Sequence, residues 1–502
     1  MTFSTDFQTG ATAPLSELSE GLASKALPGE GLPTGVISEP AVIRALLDRY
    51  NTAGPRYTSY PTAPVWREDY TAETHERAVK ESNEGGRPLS LYAHLPFCES
   101  RCLFCGCNVV ITRRREEATK YLDYLFREIE TIAGWLDSDR PVVQVHWGGG
   151  TPTYLSEKEM ERLFGFLSRH FRLAPSAEVA IEVDPRVTTP SQLCVLRDLG
   201  FNRISLGVQD FDSDVQEAIH RIQPLAMTAR MVEQCRDLGF EEGLNFDLIY
   251  GLPKQTVEGF SKTLNEVVAL NPDRIALYSY AHVPWLSPHQ AHMPENTLPT
   301  TEVKFALLQL ALQRLTEAGY RYIGMDHFAR PEDSLSQALD QGGLHRNFMG
   351  YTVQSRTGEA ASDLHGFGVS AISGLQGHFA QNQRTLAKYY EAIDQGQIPI
   401  MRGYTLNEDD RIRQQVILHI LCQGRIDYAD FEQRFGIRFQ SYFAPALEKL
   451  EAMAADGLVD FSGENGFCVT PLGRLFSRNI AMPFDAYLPT MRGDKPTFSK
   501  TV

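Results

Sequence analysis

Six short apolar runs separated by single amphipathic helices predict a parallel α/β sheet, either closed as a barrel or open and doubly wound. Each run is followed at once by glycine or polar residues, which places the ligand site at the strands' C-terminal ends if the sheet curls into a barrel. Directly after the first run, four cysteines fall within ten residues, at 98, 102, 105 and 107.

Residues 1–40 carry one basic residue, Lys25, against five acids, among many Ser, Thr, Gly and Pro. They have neither the charged-then-apolar order of a signal peptide nor the arginines of a transit peptide, so a disordered tail on a cytoplasmic protein is expected. Residues 41–50 repeat apolar side chains at helical spacing, and 55–64 read as an extended strap because proline fixes φ and biases its predecessor away from helix. These make a segment 41–88 ahead of the barrel, 89–322. Within the barrel, strands are predicted at 89–94, 142–147, 179–183, 203–208, 246–250 and 275–280. Helices are predicted at 118–136, 158–171, 191–200, 226–239, 260–270 and 302–318.

Residues 323–379 are rich in Gly, Ser, His and aromatics, which predicts site-covering loops within a connection spanning 323–400. A mainly helical domain, 401–502, follows, with helices at 409–423, 428–435 and 442–456. A hairpin, 457–461 with 467–470, turns at 463–466. Helices followed by a hairpin resemble a winged helix. Yet 12 acids against 8 bases over 407–487 oppose the basic footprint that DNA requires. The whole chain, with 63 acids against 48 bases and a net charge of −15, likewise disfavours nonspecific binding to nucleic acid or anionic membranes. No run of about 18 apolar residues predicts a membrane span.

Cys98-x3-Cys102-x2-Cys105 puts three thiolates on one short loop, at a spacing suited to three corners of an iron–sulfur cube. Such clusters usually take four cysteines, so three imply an open iron or a fourth ligand nearby. Structural zinc would call for a second pair of ligands such as another Cys-x2-Cys or a His-x3-His, and the chain has neither. A disulfide is disfavoured by the absence of a secretory signal. Cys194, Cys235, Cys422 and Cys468 lie scattered in apolar patterns and read as core.

The cysteine motif resembles that of the radical S-adenosylmethionine (SAM) superfamily. Four segments sharpen the likeness to the oxygen-independent coproporphyrinogen III oxidases. They are Pro-Arg-Tyr-Thr-Ser-Tyr-Pro-Thr-Ala at 55–63, Cys-Gly-Cys-Asn at 105–108, Gly-Met-Asp-His-Phe-Ala-Arg-Pro at 324–331 and Leu-His-Arg-Asn-Phe-Met-Gly-Tyr at 344–351. The resemblance runs from about residue 42 to 487 and implies a partial (β/α)6 radical SAM barrel. It implies one 4Fe–4S cluster on Cys98, Cys102 and Cys105, with SAM chelating the fourth iron and contacted by Tyr92, Gly149, Glu182 and Ile372. It also implies a second SAM at Phe104, Gly150, Thr151, Gln209, Arg221, Asp247 and Ala281. An acid such as Asp247 suits ribose hydroxyls, and Arg221 suits a carboxylate. Tyr92 and His94 share one strand face beside the cluster loop and are candidate catalytic residues.

The activity implied is oxidative decarboxylation of two propionates of coproporphyrinogen III to vinyl groups, giving protoporphyrinogen IX without oxygen. A low-potential electron donor, unidentified by the sequence, would supply the reducing electron to a monomeric enzyme. The alternative is a related haem-binding chaperone, but those proteins lack the Cys-Gly-Cys ending and the strap. Cys107 lies outside the three-ligand pattern and is not assigned to the cluster. Arg56 is expected to meet a propionate, Tyr57 and Tyr60 to cover the macrocycle, and Arg330 and Arg346 to approach from the opposite side.

Overall fold

The computed structural model describes residues 40–353, 362–463, 465–491 and 497–501, so the expected tail, residues 1–40, lies outside the described residues except for Pro40, which starts a helix. The six predicted strands form as β1 (Leu89–Leu95), β2 (Pro141–Gly149), β3 (Arg172–Val183), β4 (Arg203–Gln209), β5 (Leu244–Tyr250) and β6 (Arg274–Ser279), each parallel to the next. The intervening helices are α1 (Glu116–Ala133), α2 (Glu157–His170), α3 (Pro190–Asp198), α4 (Leu225–Asp237) and α5 (Val257–Leu270), and α6 (Thr301–Glu317) follows β6. Their boundaries follow local chemistry. A capping box of Ser156 with Glu159 starts α2. Thr189 with Gln192 does the same for α3, where Pro190 stands at the first turn and loses no hydrogen bond by lacking an N–H.

The sheet extends beyond these six strands. After α6 come β7 (Arg321–Gly324), β8 (His327–Ala329), β9 (Asp363–Phe367), β10 (Ile372–Leu375), β11 (His378–Asn382) and β12 (Ile400–Thr405). The order across the sheet is β12-β11-β10-β9-β1-β2-β3-β4-β5-β6-β8-β7. β9 is parallel to β1, and the strands outside β9 and β6 are antiparallel. The expected covering loops of 323–400 are therefore mostly short strands that extend both edges of the partial barrel, with a helix at Ser334–Gln341 and a hairpin of Leu344–Asn347 with Gly350–Val353.

Strand alternation sorts the side chains. Ile204, Leu206, Phe246 and Leu248 are fully buried in the core that includes the helices, while Arg203, Ser205, Asp247 and Arg274 take the other face. At the N-terminal end of that inner face, Arg203 bonds Glu178 at 2.6 Å and Asp333 at 2.9 Å, and Arg274 meets the same two acids at 3.2 and 2.9 Å. Burial alone would raise the Glu178 carboxyl, but Arg274 and Arg203 hold it down to about 2. This ion network closes the barrel from below.

The C-terminal domain has helices Glu408–Cys422, Tyr428–Phe435 and Ala444–Ala455 with a three-stranded sheet of Arg425–Asp427, Gly466–Val469 and Val459–Asp460. Its core also takes in Leu46, Leu47 and Tyr50 of the N-terminal helix Pro40–Tyr50, and Tyr57 and Tyr60 of the strap. The Tyr57 hydroxyl donates to Asp485 at 3.1 Å, and the Tyr60 hydroxyl accepts from the Ala486 N–H at 3.0 Å. Both residues thus anchor the strap, and both also line a second, smaller cavity beside it. No helix among the described residues is long and apolar enough to cross a membrane.

Glu128 on α1 fastens β9–β12 to the barrel. Its carboxylate accepts from the Gly368 N–H at 2.8 Å, Asn382 Nδ2 at 2.6 Å and the Tyr389 hydroxyl at 2.6 Å. Burial raises its carboxyl from 4.5 to about 7 against these bonds. The folded chain therefore binds more protons than the unfolded chain between those values, and this contribution to stability is lost as pH rises through them. Relative to Glu128→Gln, the wild type should lose on the order of 3 kcal/mol between pH 4.5 and 7. Denaturant titrations of both proteins across that range measure it, and a stability difference that does not change with pH would contradict it.

Candidate active site

A cavity of about 350 Å³ opens at the C-terminal ends of the strands, and Cys98, Cys102, Cys105 and Cys107 all line it. The loop carrying them is fixed by its backbone. Val110 N–H donates to Pro96 O at 2.7 Å, Thr112 N–H to Cys98 O at 3.0 Å and Leu103 N–H to Ile219 O at 3.0 Å. Behind it the end of β2 has no room for side chains. A Cβ on Gly148 would come within 2.8 Å of the Glu182 carboxylate. One on Gly149, at φ +112°, would lie 2.5 Å from the His94 ring, and one on Gly150 would lie 2.6 Å from the Pro96 backbone.

Phe104, Gly149, Gly150, Thr151, Glu182, Gln209, Arg221 and Asp247 are all brought to the wall of this cavity. Tyr92, His94, Ala281 and Ile372 are not among its lining. Tyr92 donates to or accepts from His94 Nδ1 at 3.1 Å and stacks on His146, while His94 Nε2 lies 2.9 Å from Asn108 O. The His94 ring lies against Gly149, so the pair backs the wall beside the cysteine loop. Ile372 starts β10 and packs near Trp66 and Phe379, and Ala281 lies beyond the end of β6.

Glu182 accepts from the Gly149 N–H at 3.1 Å and from His146 at 3.3 Å. Burial would raise its carboxyl, but the His146 and Gly149 contacts bring it below the usual range. Asp247, held by Ser205 at 3.0 Å and Asn245 at 2.9 Å, is pushed up to about 6 by burial and by Glu182. Two further wall residues matter: Asp184, in the polar strand end Glu182-Val183-Asp184-Pro185 that the sequence offers as ligand-binding, and Arg186, which sequence reading missed. Asp184 binds Arg186 at 2.6 Å and Arg221 at 3.1 Å, and both arginines donate toward Cys102 Sγ, at 3.5 and 3.6 Å. The Asp-Pro punctuation after β3 was the available signal. Arg221 Nη2 also donates to Gly207 O at 2.7 Å, so only its Nε is left without a partner among the described residues.

No group of three donors among the described residues converges on a single ion. A cube does not need one, since each thiolate takes its own iron. Cationic N–H donors at Cys102 and the Thr151 hydroxyl 3.4 Å from Cys98 Sγ suit thiolates that carry negative charge. The residues present therefore fit an iron–sulfur cluster.

A partial barrel of parallel β/α units with three cysteines at its mouth defines a radical SAM protein, and the Radical SAM superfamily matches residues 92–267. The HemN C-terminal domain matches residues 406–476. The oxygen-independent coproporphyrinogen III oxidase of Synechocystis sp. is 44% identical over 91% of this chain and 97% of its own. That of Salmonella typhimurium is 48% identical over 88% and 95%. The solved structure of coproporphyrinogen III oxidase (HemN) from Escherichia coli, described as a radical SAM enzyme, superposes with a TM-score of 0.82 at 44% identity, covering 88% of this chain and 98% of that one. The chain belongs to the oxygen-independent coproporphyrinogen III oxidase family. A 4Fe–4S cluster and SAM are the cofactors that membership implies.

Cys98→Ser, Cys102→Ser or Cys105→Ser should each remove the broad visible absorbance and the bound iron. Cys107→Ser should keep both, because three thiolates and SAM complete the coordination. Iron analysis of anaerobically purified variants decides, and equal iron loss in the Cys107 and Cys105 variants would refute the three-ligand assignment.

Proposed function

We propose that this chain converts two propionates of coproporphyrinogen III to vinyl groups, yielding protoporphyrinogen IX without oxygen. For each arm, a hydrogen atom leaves the β-carbon, carbon dioxide departs from the adjoining carbon, and one electron passes to an acceptor. The cluster and SAM, when bound, supply the one-electron chemistry that removes a hydrogen atom from carbon. Cys98, Cys102 and Cys105 hold the cluster on this reading. Glu182 and the Gly149 backbone shape the SAM site.

The observation that carries the proposal is Arg56. The strap brings it to the inner face of the barrel, where it ion-pairs with Asp326 and its guanidinium lies 5.9 Å from the centre of the Tyr278 ring. Tyr278 lines the cysteine cavity. A cation beside an aromatic residue of the cysteine cavity suits a carboxylate-bearing tetrapyrrole. Arg330 is instead turned away from the mouth. It donates to Ala318 O at 2.8 Å and to Asn271, at the opposite end of the barrel.

A second SAM would use Phe104, Gly150, Thr151, Gln209, Arg221 and Asp247, six expected contacts that share one cavity. With a carboxyl poised near 6, Asp247 can accept from a ribose hydroxyl as the carboxylate or donate to one when protonated. The enzyme would act as a cytoplasmic monomer fed by a low-potential electron donor.

Anaerobic incubation with coproporphyrinogen III, SAM and a reductant should yield protoporphyrinogen IX and two carbon dioxide molecules. A protein that retained haem and left the substrate intact would belong to the chaperone class instead. Arg56→Gln should raise KM about tenfold or more while sparing iron content and uncoupled SAM cleavage. Unchanged KM would remove Arg56 from substrate binding. Equilibrium dialysis should find two SAM molecules per wild-type chain and fewer after Asp247→Ala; a single wild-type site would end the second assignment.

A further inference from the structure

Arg346 stands out among the buried cations. It lies on the hairpin strand Leu344–Asn347, is only 4% exposed, and its Nε and Nη1 have no hydrogen-bond partner. Among the described residues its one specific contact is the Tyr351 ring, 4.9 Å from the guanidinium carbon. Burying a guanidinium without a counter-ion is costly, so the position makes physical sense only if an anion comes to it.

A place for that anion exists. Arg346 lines a cavity of about 140 Å³ between the hairpin, the strap and the helix Glu408–Cys422. Arg87 and Arg434 line it as well. Among the described lining residues Asp363 is the only carboxylate, and it is already engaged, since Arg140 holds Asp363 Oδ2 at 2.5 Å and leaves Arg87 at 3.9 Å from the other oxygen. The cavity is thus positive in a chain whose net charge is −15. Pockets that enclose a whole drug-sized ligand measure about 300–1,000 Å³. This one is smaller and suits an arm of a molecule whose body lies elsewhere.

A chain of ring contacts links Arg346 to a residue of the cysteine cavity. Tyr351 meets His327 edge-on at 5.3 Å, and His327 meets Tyr278 at 6.2 Å. Tyr278 lines the larger cavity under Arg56. These ring contacts connect two arginines, and Arg346 is the one without a counter-ion among the described residues. We propose that Arg346 anchors a carboxylate of the substrate other than the one reacting, so that one propionate is held in the small cavity while another faces the cysteines. This rests on the proposed function, whose substrate carries four such arms. It assigns Arg346 to binding and orientation, with no role in the hydrogen removal itself.

The test uses the full chain and coproporphyrin III, the oxidised and unreactive tetracarboxylate, followed by fluorescence titration. Arg346→Gln should weaken its binding about tenfold or more and raise KM for coproporphyrinogen III, with iron content and uncoupled SAM cleavage unchanged. Arg346→Lys, which keeps the charge in the same space, should recover part of the loss. The tetramethyl ester should bind wild type and Arg346→Gln equally. Equal affinity of wild type and Arg346→Gln for the acid would overturn the proposal. So would an equal loss for acid and ester, which marks a structural role. Inorganic phosphate at millimolar concentration that binds the wild type without competing with coproporphyrin III would also overturn it, since the site would then serve a small anion. If Arg346→Gln does not fold, Arg346→Lys carries the comparison, and binding equal to wild type with KM unchanged sinks the idea. A wild type that binds the tetracarboxylate through Arg346 but makes no protoporphyrinogen IX would reject the reaction and leave the carboxylate site standing.

Discussion

Three consecutive glycines at the end of β2 set the geometry on which the site depends. Gly148, Gly149 and Gly150 touch, in turn, the Glu182 carboxylate of β3, the His94 ring of β1 and the backbone that leads into the cysteine loop. Each contact is closer than a methyl group allows. The ends of β1, β2 and β3 are thereby drawn together, and two backbone bonds lock them: Gly150 N–H to Leu95 O at 2.9 Å and Thr151 N–H to Phe97 O at 2.9 Å. The cysteine loop inherits its position from this packing. Tyr92 and His94, which have no place in the cavity wall, act within the same constraint by filling the space behind the glycines.

The barrel interior is layered by charge. Glu178, Arg203, Arg274 and Asp333 form the floor, with every carboxylate matched to an arginine. Above them Ser205, Asn245 and Asp247 form a neutral-to-acidic middle, and the cysteines with Arg186 and Arg221 form the rim. Strand alternation alone places residues 203, 205 and 207 on one face, so a single strand contributes to each layer. A buried ion pair is a poor source of stability. Here its use is to fill the lumen with rigid, paired charges, although Arg203 Nη1 keeps no hydrogen-bond partner among the described residues.

The barrel was legible because its strands are apolar and its helices obey a 3.6-residue period, a pattern that burial on both layers enforces. The cysteine loop was legible because thiolates at that spacing have few other uses. The strands of the 363–405 region were not. β9 reads Asp-Leu-His-Gly-Phe, and its two polar side chains, Asp363 and His365, are both buried, which breaks every rule by which a strand is recognised. Asp363 is tolerated because Arg140 neutralises it. The two ends of one motif also parted company. Asp326 reaches the mouth, while Arg330 is carried about 13 Å away along antiparallel β8, because four residues of strand cover that distance.

The strap shows how the C-terminal domain enters the chemistry without touching the cluster. Arg478, buried in that domain, donates to the carbonyls of Gly54 and Pro55 on the strap and of Lys500 and Thr501 near the C-terminus. Thr501 N–H closes the same knot by donating to Thr52 O at 2.8 Å. Next along the chain, Tyr57 takes a left-handed φ of +47° and sends its hydroxyl to Asp485, while Arg56 extends in the other direction to Asp326. For a residue other than glycine that backbone is strained, and it is held by the burial of Tyr57 on one side and the ion pair of Arg56 on the other. The direction in which Arg56 points is therefore decided by the C-terminal domain. That role accounts for a domain with a winged-helix outline but an acidic balance, because positioning a cation over the barrel requires no surface for DNA.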